Sequence, residues 1–150
     1  MAGSALGGDV VNEYADAYTA VFDAVQTDLE AVSSIKNVVL GGQFRITSLP
    51  MAVVNPMVTQ IKQGAFGTLL ENRIQIEVVV MIRETEPANW FADLVPTMGD
   101  VMDAILGDRT LGGSVKDTTP TVFAPSEIRT QGKLYYGGVL RFEALMHFTP

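Results

Sequence analysis

The sequence predicts an α+β domain: an antiparallel or mixed β-sheet with two main helices packed on it. Three observations predict it. Apolar residues recur at helical spacing from Asp9 to Ser33 and again after Pro87. Apolar and polar residues alternate elsewhere, most clearly in "NRIQIEVVVMIR", Asn72 to Arg83. The order is helix, strands, helix, strands, without the regular alternation of a doubly wound nucleotide-binding fold. A length of 150 residues fits a single domain, 1–150, with 1–8 expected as a flexible start.

The first helix places Val11, Tyr14, Tyr18, Val21, Val25, Leu29 and Val32 on one apolar face. Asp9 suits the N-cap, and acids in the first turn suit the helix dipole. A second stripe, Glu13, Asp16, Asp23 and Glu30, follows the same period with no Lys or Arg four residues on. Like charges so spaced cost about 0.2–0.5 kcal/mol per pair. A solvated face explains the stripe; a surface that meets a basic partner or repels DNA is the sharper alternative.

From Ile35 to Pro56 the pattern reads strand, turn, strand, with Gly41 and Gly42 supplying the turn. Pro50 and Pro56 bracket a short run suited to a sheet edge, and "KQGAFGT" suits a loop. In the long strand, Ile74, Ile76, Val78, Val80 and Ile82 share the face that covers a core. Arg73, Gln75, Glu77, Val79, Met81 and Arg83 share the other, polar at one end and apolar in the middle, where some cover is expected.

The second helix follows Pro87, with Phe91, Leu94, Met98, Val101, Met102 and Ile105 on its apolar face. Pro96 and Gly99 predict a break or kink inside it. "VKDTTPTVF" reads as a strand and "APSEIRTQG" as a loop. "KLYYGGVLRFEALMHF" reads as a long last strand interrupted at Gly137 and Gly138. Its inner face carries Leu140, Phe142, Ala144, Met146 and Phe148; Arg141, Glu143 and His147 lie outside.

Composition narrows the function. Hydrophobic residues at 47 % and charged residues at 18 % fit a folded domain and argue against disorder. The net charge is -7, and six acids with no base precede Lys36, while 11 acids and 10 bases nearly cancel thereafter. The bases are scattered singly, which disfavours direct nucleic-acid binding. The absence of cysteine excludes disulfides, thiolate catalysis and cysteine-rich zinc sites. No basic and apolar leader opens the sequence, so no secretory signal is expected, and "VVVMI" is far too short to span a membrane.

Chemical motifs add little. "ILGDRTLGGSV" fits neither a P-loop nor a dinucleotide fingerprint, and it follows a helix where it should precede one. Gly107 is placed to end the helix as its left-handed residue, and Gly112 and Gly113 to turn the chain into a strand. His147 stands alone, with no G-x-S-x-G elbow to supply a nucleophile. Asp100 and Asp103 could share a helix face for a hard cation, but no calcium-loop pattern surrounds them. Trp90 suits a packing anchor. No cofactor and no enzymatic activity are expected.

Five stretches together carry a family resemblance: "YADAYTAVFDAVQTDL", "LPMAVVNP", "RIQIEVVVMI", "DAILGDRTLGGSV" and "YYGGVLRFEALMHF". From about Tyr14 to Phe148 the chain resembles the tail terminator (tail completion) proteins of tailed phages and related head-tailed viruses. The resemblance implies a ring-forming structural virion protein. Such a protein forms a homo-hexamer at the head-proximal end of the tail tube, after assembly in the host cytoplasm. It stops tube polymerisation and offers a docking face to the neck or head-completion protein. Genome DNA passes through without specific binding, and no membrane is involved. Glu13, Asp16, Asp23 and Glu30 then belong near the lumen or an axial docking face, and Val79 and Met81 on a subunit-interface strand. The alternatives are another neck or tail component (a head-closure protein or the tube subunit) and a small ligand-binding or enzymatic domain using Asp100, Asp103 or His147.

Overall fold

The computed structural model describes residues 13–41, 46, 48–64, 67–83, 85–130 and 132–150. The expected N-cap Asp9, the apolar Val11 and the flexible start 1–8 lie outside these residues. Helix α1 spans Glu13–Glu30 and buries Val21, Val25 and Leu29, the centre of the predicted apolar face, together with Phe22, which the spacing does not assign to it. Tyr14, Tyr18 and Val32 pack at its margin. Strands β1 (Asn37–Leu40), β2 (Met51–Gln63) and β3 (Leu70–Met81) follow, then helix α2 (Trp90–Leu106), β4 (Asp117–Thr130) and β5 (Lys133–Phe148). They build one mixed five-stranded sheet in the order β1-β2-β3-β5-β4. This is the α+β class that the sequence predicts.

The helices lie on one face of the sheet. There Ile74, Ile76, Val78 and Val80 of β3 and Leu140, Phe142, Ala144 and Met146 of β5 meet Leu94, Met98, Val101 and Ile105 of α2. Full burial of each such large side chain contributes about 1.5–3 kcal/mol. A polar contact ties α1 to this core: the Tyr14 hydroxyl donates to Asn72 Oδ1 at 2.6 Å, and Asn72 is fully buried. The Asn72 amide donates in turn to the Leu70 and Met146 carbonyls, at 3.2 Å each.

Several expectations are corrected. The segment from Ile35 to Pro56 is not a hairpin, because β1 and β2 run parallel in the register Asn37↔Met51 to Leu40↔Val54. Gly41 ends β1 with its N–H on the Val54 carbonyl at 2.6 Å, while Gly42 lies outside the described residues. Ile46 and Leu49, in the connection, pack against Met51, Val53 and Met81 on the face away from the helices. Burying those side chains favours a crossover above a tight glycine turn. β2 continues well past Pro56, antiparallel to β3, with a bulge between Pro56 and Thr59. Pro56 is tolerated because β1 has already ended, so no neighbour on that side needs its missing N–H.

Helix α2 runs unbroken through Pro96 and Gly99. Pro96 removes the donor for the Ala92 carbonyl, but both residues are exposed, so water satisfies that group. Phe91, expected on the apolar face, is 57 % exposed. The inward place in the first turn belongs to Trp90, which stacks on Tyr136 with centroids 5.7 Å apart. Gly107 is not left-handed: its φ is -73°, and its N–H reaches the Asp103 carbonyl at 2.8 Å. Positive φ appears later, at Leu111 (47°), Gly112 (68°) and Gly113 (87°). The delay lets Leu111 and Val115 reach the core, and Asp108 Oδ1 accepts from the Gly112 N–H at 3.0 Å.

The predicted loop "APSEIRTQG" is mostly strand. β4 pairs with β5 from Asp117↔Leu145 to Thr130↔Lys133, and this partnership overrides the local turn chemistry. Nor do Gly137 and Gly138 interrupt β5. They are required by close approach. A Cβ at Gly138 would lie 2.6 Å from Met98 Sδ and 2.7 Å from the Ala124 carbonyl oxygen. One at Gly137 would lie 2.7 Å from Ile128 Cδ1 and closer still to the Val80 carbonyl oxygen.

Candidate functional surface

The sheet face away from the helices is built by the second set of alternating side chains. At one end Met51, Val53 and Met81 are buried beneath Val39, Ile46, Leu49, Val79, Ile128 and Tyr135. Met81, expected on a subunit-interface strand, is 1 % exposed within its own chain. Val79 beside it is partly buried in the same cluster. The cover foreseen for this apolar middle comes from the connection between β1 and β2 and from the paired strands β4 and β5.

Further along this face the strands carry a polar ladder. Arg73 Nη1 meets Glu143 Oε1 at 2.9 Å, and Gln75 Nε2 donates to Glu143 Oε2 at 2.8 Å. Arg141 Nη2 meets Glu77 Oε2 at 3.0 Å, while Asn55 Nδ2 donates to Glu77 Oε1 at 3.2 Å. His147 lies opposite Glu71 across β3 and β5, with Nε2 3.9 Å from the carboxylate. No catalytic serine accompanies it in these contacts. Near the chain reversal, Arg109 Nε donates to Asp117 Oδ1 at 2.7 Å, and the guanidinium holds the Asp117 carboxyl below its ordinary range.

The acidic stripe lies on the opposite side of the molecule. Glu13, Asp16, Asp23 and Glu30 are all exposed. The ion pairs among the described residues join Arg73, Arg109, Arg141 and His147 to carboxylates of the sheet, and none reaches these four acids. A second acidic feature was not singled out in the sequence. Asp28, near the end of α1, faces Asp108 after α2 across a shallow cavity of about 260 Å³ also lined by Asp103 and Gly107. Burial, then the hydrogen bond and charge of Asp108, push the Asp28 carboxyl up from 3.8 to about 7. Asp28 Oδ2 is buried with no hydrogen-bond partner among the described residues, and a proton held between Asp28 and Asp108 would relieve the repulsion of two carboxylates.

The remaining candidates separate. Asp100 is exposed and accepts from Ser34 Oγ at 2.8 Å, bracing the chain after α1 against α2. Asp103 is exposed on the same helix. Among the described residues no group of three or more His, Cys, Asp or Glu side chains converges to hold a metal. Trp90 is a packing residue, stacked on Tyr136 and edge-on to Phe91 at 5.5 Å. Beside it a cleft of about 620 Å³ is lined by Leu49, Ile82, Thr85, Pro87, Lys133, Leu134, Tyr135 and Tyr136. Among the described residues, Lys133 is the one ordinarily charged group in this lining. No helix among the described residues is long and apolar enough to cross a membrane. The sequence matches no protein-family model and no curated protein.

Proposed function

We propose that the protein is a structural virion subunit: a tail terminator whose homo-hexameric ring caps the head-proximal end of the tail tube and docks the neck. The resemblance of the chain from Tyr14 to Phe148 motivates this assignment. The observation that carries it is the segregation of charge. Three arginines are held by carboxylates on or beside the sheet, whereas the α1 acids are exposed and outside those ion pairs. With acids gathered on one helix and the bases scattered singly along the chain, the surface lacks the cation clusters that retain DNA, and it suits a ring through which a genome slides. The partners are other copies of the chain, the tube protein and a neck or head-completion protein; DNA is a passenger.

Two measurements test this function. Tube protein polymerised with this chain is expected to give shorter tubes bearing a ring at one end in electron micrographs. Unchanged lengths and bare ends refute the assignment. Replacing Glu13, Asp16, Asp23 and Glu30 together by Lys is expected to impair head joining or DNA ejection. Particles that assemble and eject normally with all four replaced refute the role given to the stripe.

A further inference from the structure

β5 outruns its neighbour on one side. β3 ends at Met81, opposite Gly137, whereas β5 begins at Lys133 and keeps β4 beside it as far as Thr130↔Lys133. Lys133 to Tyr136 therefore project past β3. The chain leaving β3 stays alongside through the Ile82 N–H, which donates to the Tyr136 carbonyl at 3.0 Å. The cleft of about 620 Å³ lies beside this overhang, with further walls from Leu49 before β2 and from Ile82 and Pro87 between β3 and α2. Tyr135 packs in the cluster on the face away from the helices, and Tyr136 packs against the core on the helix side. The cleft thus reaches across the end of the sheet, between two tyrosines that are each anchored in a different cluster.

We propose that this cleft binds a small, elongated organic anion, its head on the Lys133 ammonium and its apolar body along Ile82, Leu134, Tyr135 and Tyr136; the proposal stands apart from the ring function. Three features select the ligand. The first is size. About 620 Å³ lies within the roughly 300–1,000 Å³ of small-molecule sites, whose walls are mostly apolar with a few polar groups. The second is sign. Lys133 takes part in none of the ion pairs among the described residues. In a chain of net charge -7, an unpaired base at an apolar wall marks a place that favours an anion over a cation. A smaller hollow of about 230 Å³ shares Ile82 and Thr85 with the cleft and adds Arg83 and Asp93. There the Thr85 hydroxyl donates to the Asp93 carboxylate and Arg83 Nε donates to the Leu49 carbonyl at 3.3 Å, and no ion pair joins Asp93 to Lys133. The third is shape: a cleft that crosses the end of the sheet suits a long body, with the charge at one end.

Trp90 is the chain's single tryptophan and stacks on Tyr136, so its emission reports on the cleft wall. Decanoate, titrated below its micelle-forming concentration, is expected to change that emission saturably and to give one site per chain by calorimetry. Decyltrimethylammonium, with the same apolar body, is expected to bind at least about tenfold more weakly, since its head gains no charge-assisted hydrogen bond. Lys133→Glu changes an exposed side chain and is expected to weaken decanoate about tenfold while leaving the binding of neutral decanol and the circular dichroism spectrum unchanged. Leu134→Asp, also at an exposed position, is expected to weaken decanoate and decanol alike. No saturable response to decanoate overturns the site. Equal affinity for the two charged heads, or decanoate binding that survives Lys133→Glu unchanged, overturns the choice of an anion. None of these results bears on tube capping, so the cleft and the ring fail separately.

Discussion

Gly138→Ala tests whether the glycine pair of β5 is a packing requirement. The added Cβ meets Met98 Sδ at 2.6 Å and Cε at 2.7 Å, and the Ala124 carbonyl oxygen at 2.7 Å. The methionine end can swing aside. The carbonyl cannot, because Ala124 is held opposite Val139 in the β4–β5 ladder. Overpacking of this kind costs about 1–3 kcal/mol, and contact with fixed backbone puts this substitution near the top of that range. For a chain of this length, about 3 kcal/mol lowers Tm by roughly 6–12 °C. Met98→Ala alone leaves a cavity and costs about 2–5 kcal/mol. In the double variant the truncated side chain no longer meets the new methyl, so the combined loss should fall short of the sum by about 1–2 kcal/mol. Urea and thermal unfolding of the four proteins complete the cycle. A Tm loss below about 2 °C for Gly138→Ala, or strict additivity, refutes the close-approach explanation.

Asp28→Asn should flatten the dependence of stability on pH. The folded Asp28 carboxyl titrates near 7 against an ordinary 3.8, because burial and Asp108 disfavour its charge. The folded state thus binds this proton more tightly than the unfolded chain, and the stabilisation is complete below the ordinary value and lost as pH rises through about 7. Asparagine keeps a donor toward Asp108 at every pH, so between the ordinary 3.8 and about 7 denaturation midpoints should fall for the parent and hold for the variant; parallel profiles refute the shared proton. Tyr14→Phe strands the buried Asn72 Oδ1 and should cost about 1–3 kcal/mol in chemical denaturation, with a loss below about 0.5 kcal/mol counting against the tie. Gly99→Ala meets nothing within 4 Å in a helix and should stabilise by up to about 1 kcal/mol. Gly112→Ala, at φ 68°, should instead destabilise by about 1–2 kcal/mol; equal effects of the two alanines would refute the left-handed turn.

Where periodicity is strong, residue-level expectation and structure agree. The buried positions Ile74, Ile76, Val78 and Val80 follow from alternation alone, as do Leu140, Phe142, Ala144 and Met146. Val21, Val25 and Leu29 follow from the helical period. The expectations that failed rested on punctuation. Gly41, Pro96, Gly137 and "APSEIRTQG" all carry breaker or turn residues, and in each place but Pro96 a long-range partner decided the outcome. β5 holds β4 extended past Pro125, and the exposure of Pro96 and Ala92 makes a lost helical bond tolerable. Gly107 missed its left-handed role because Leu111, farther on, needed the core. Local propensity yields when a buried side chain can be gained.

The candidate surfaces divide in the same way. The acidic stripe was legible because one helix contains it, and helical period alone orders Glu13, Asp16, Asp23 and Glu30 along the outside. The Asp28–Asp108 pair was not, since it arises only when the ends of two helices meet. The free edge of β2 is hidden for a further reason. Nothing within "MVTQIKQ" says that it lacks a neighbour; that depends on the length of another strand. β1 stops after four residues, at Leu40. Had it continued, it would have paired alongside Thr59 and Ile61, and the same side chains would bound an inner strand. An edge is thus a property of topology, and the short β1 is what leaves β2 beyond Val54 with a described strand on one side only.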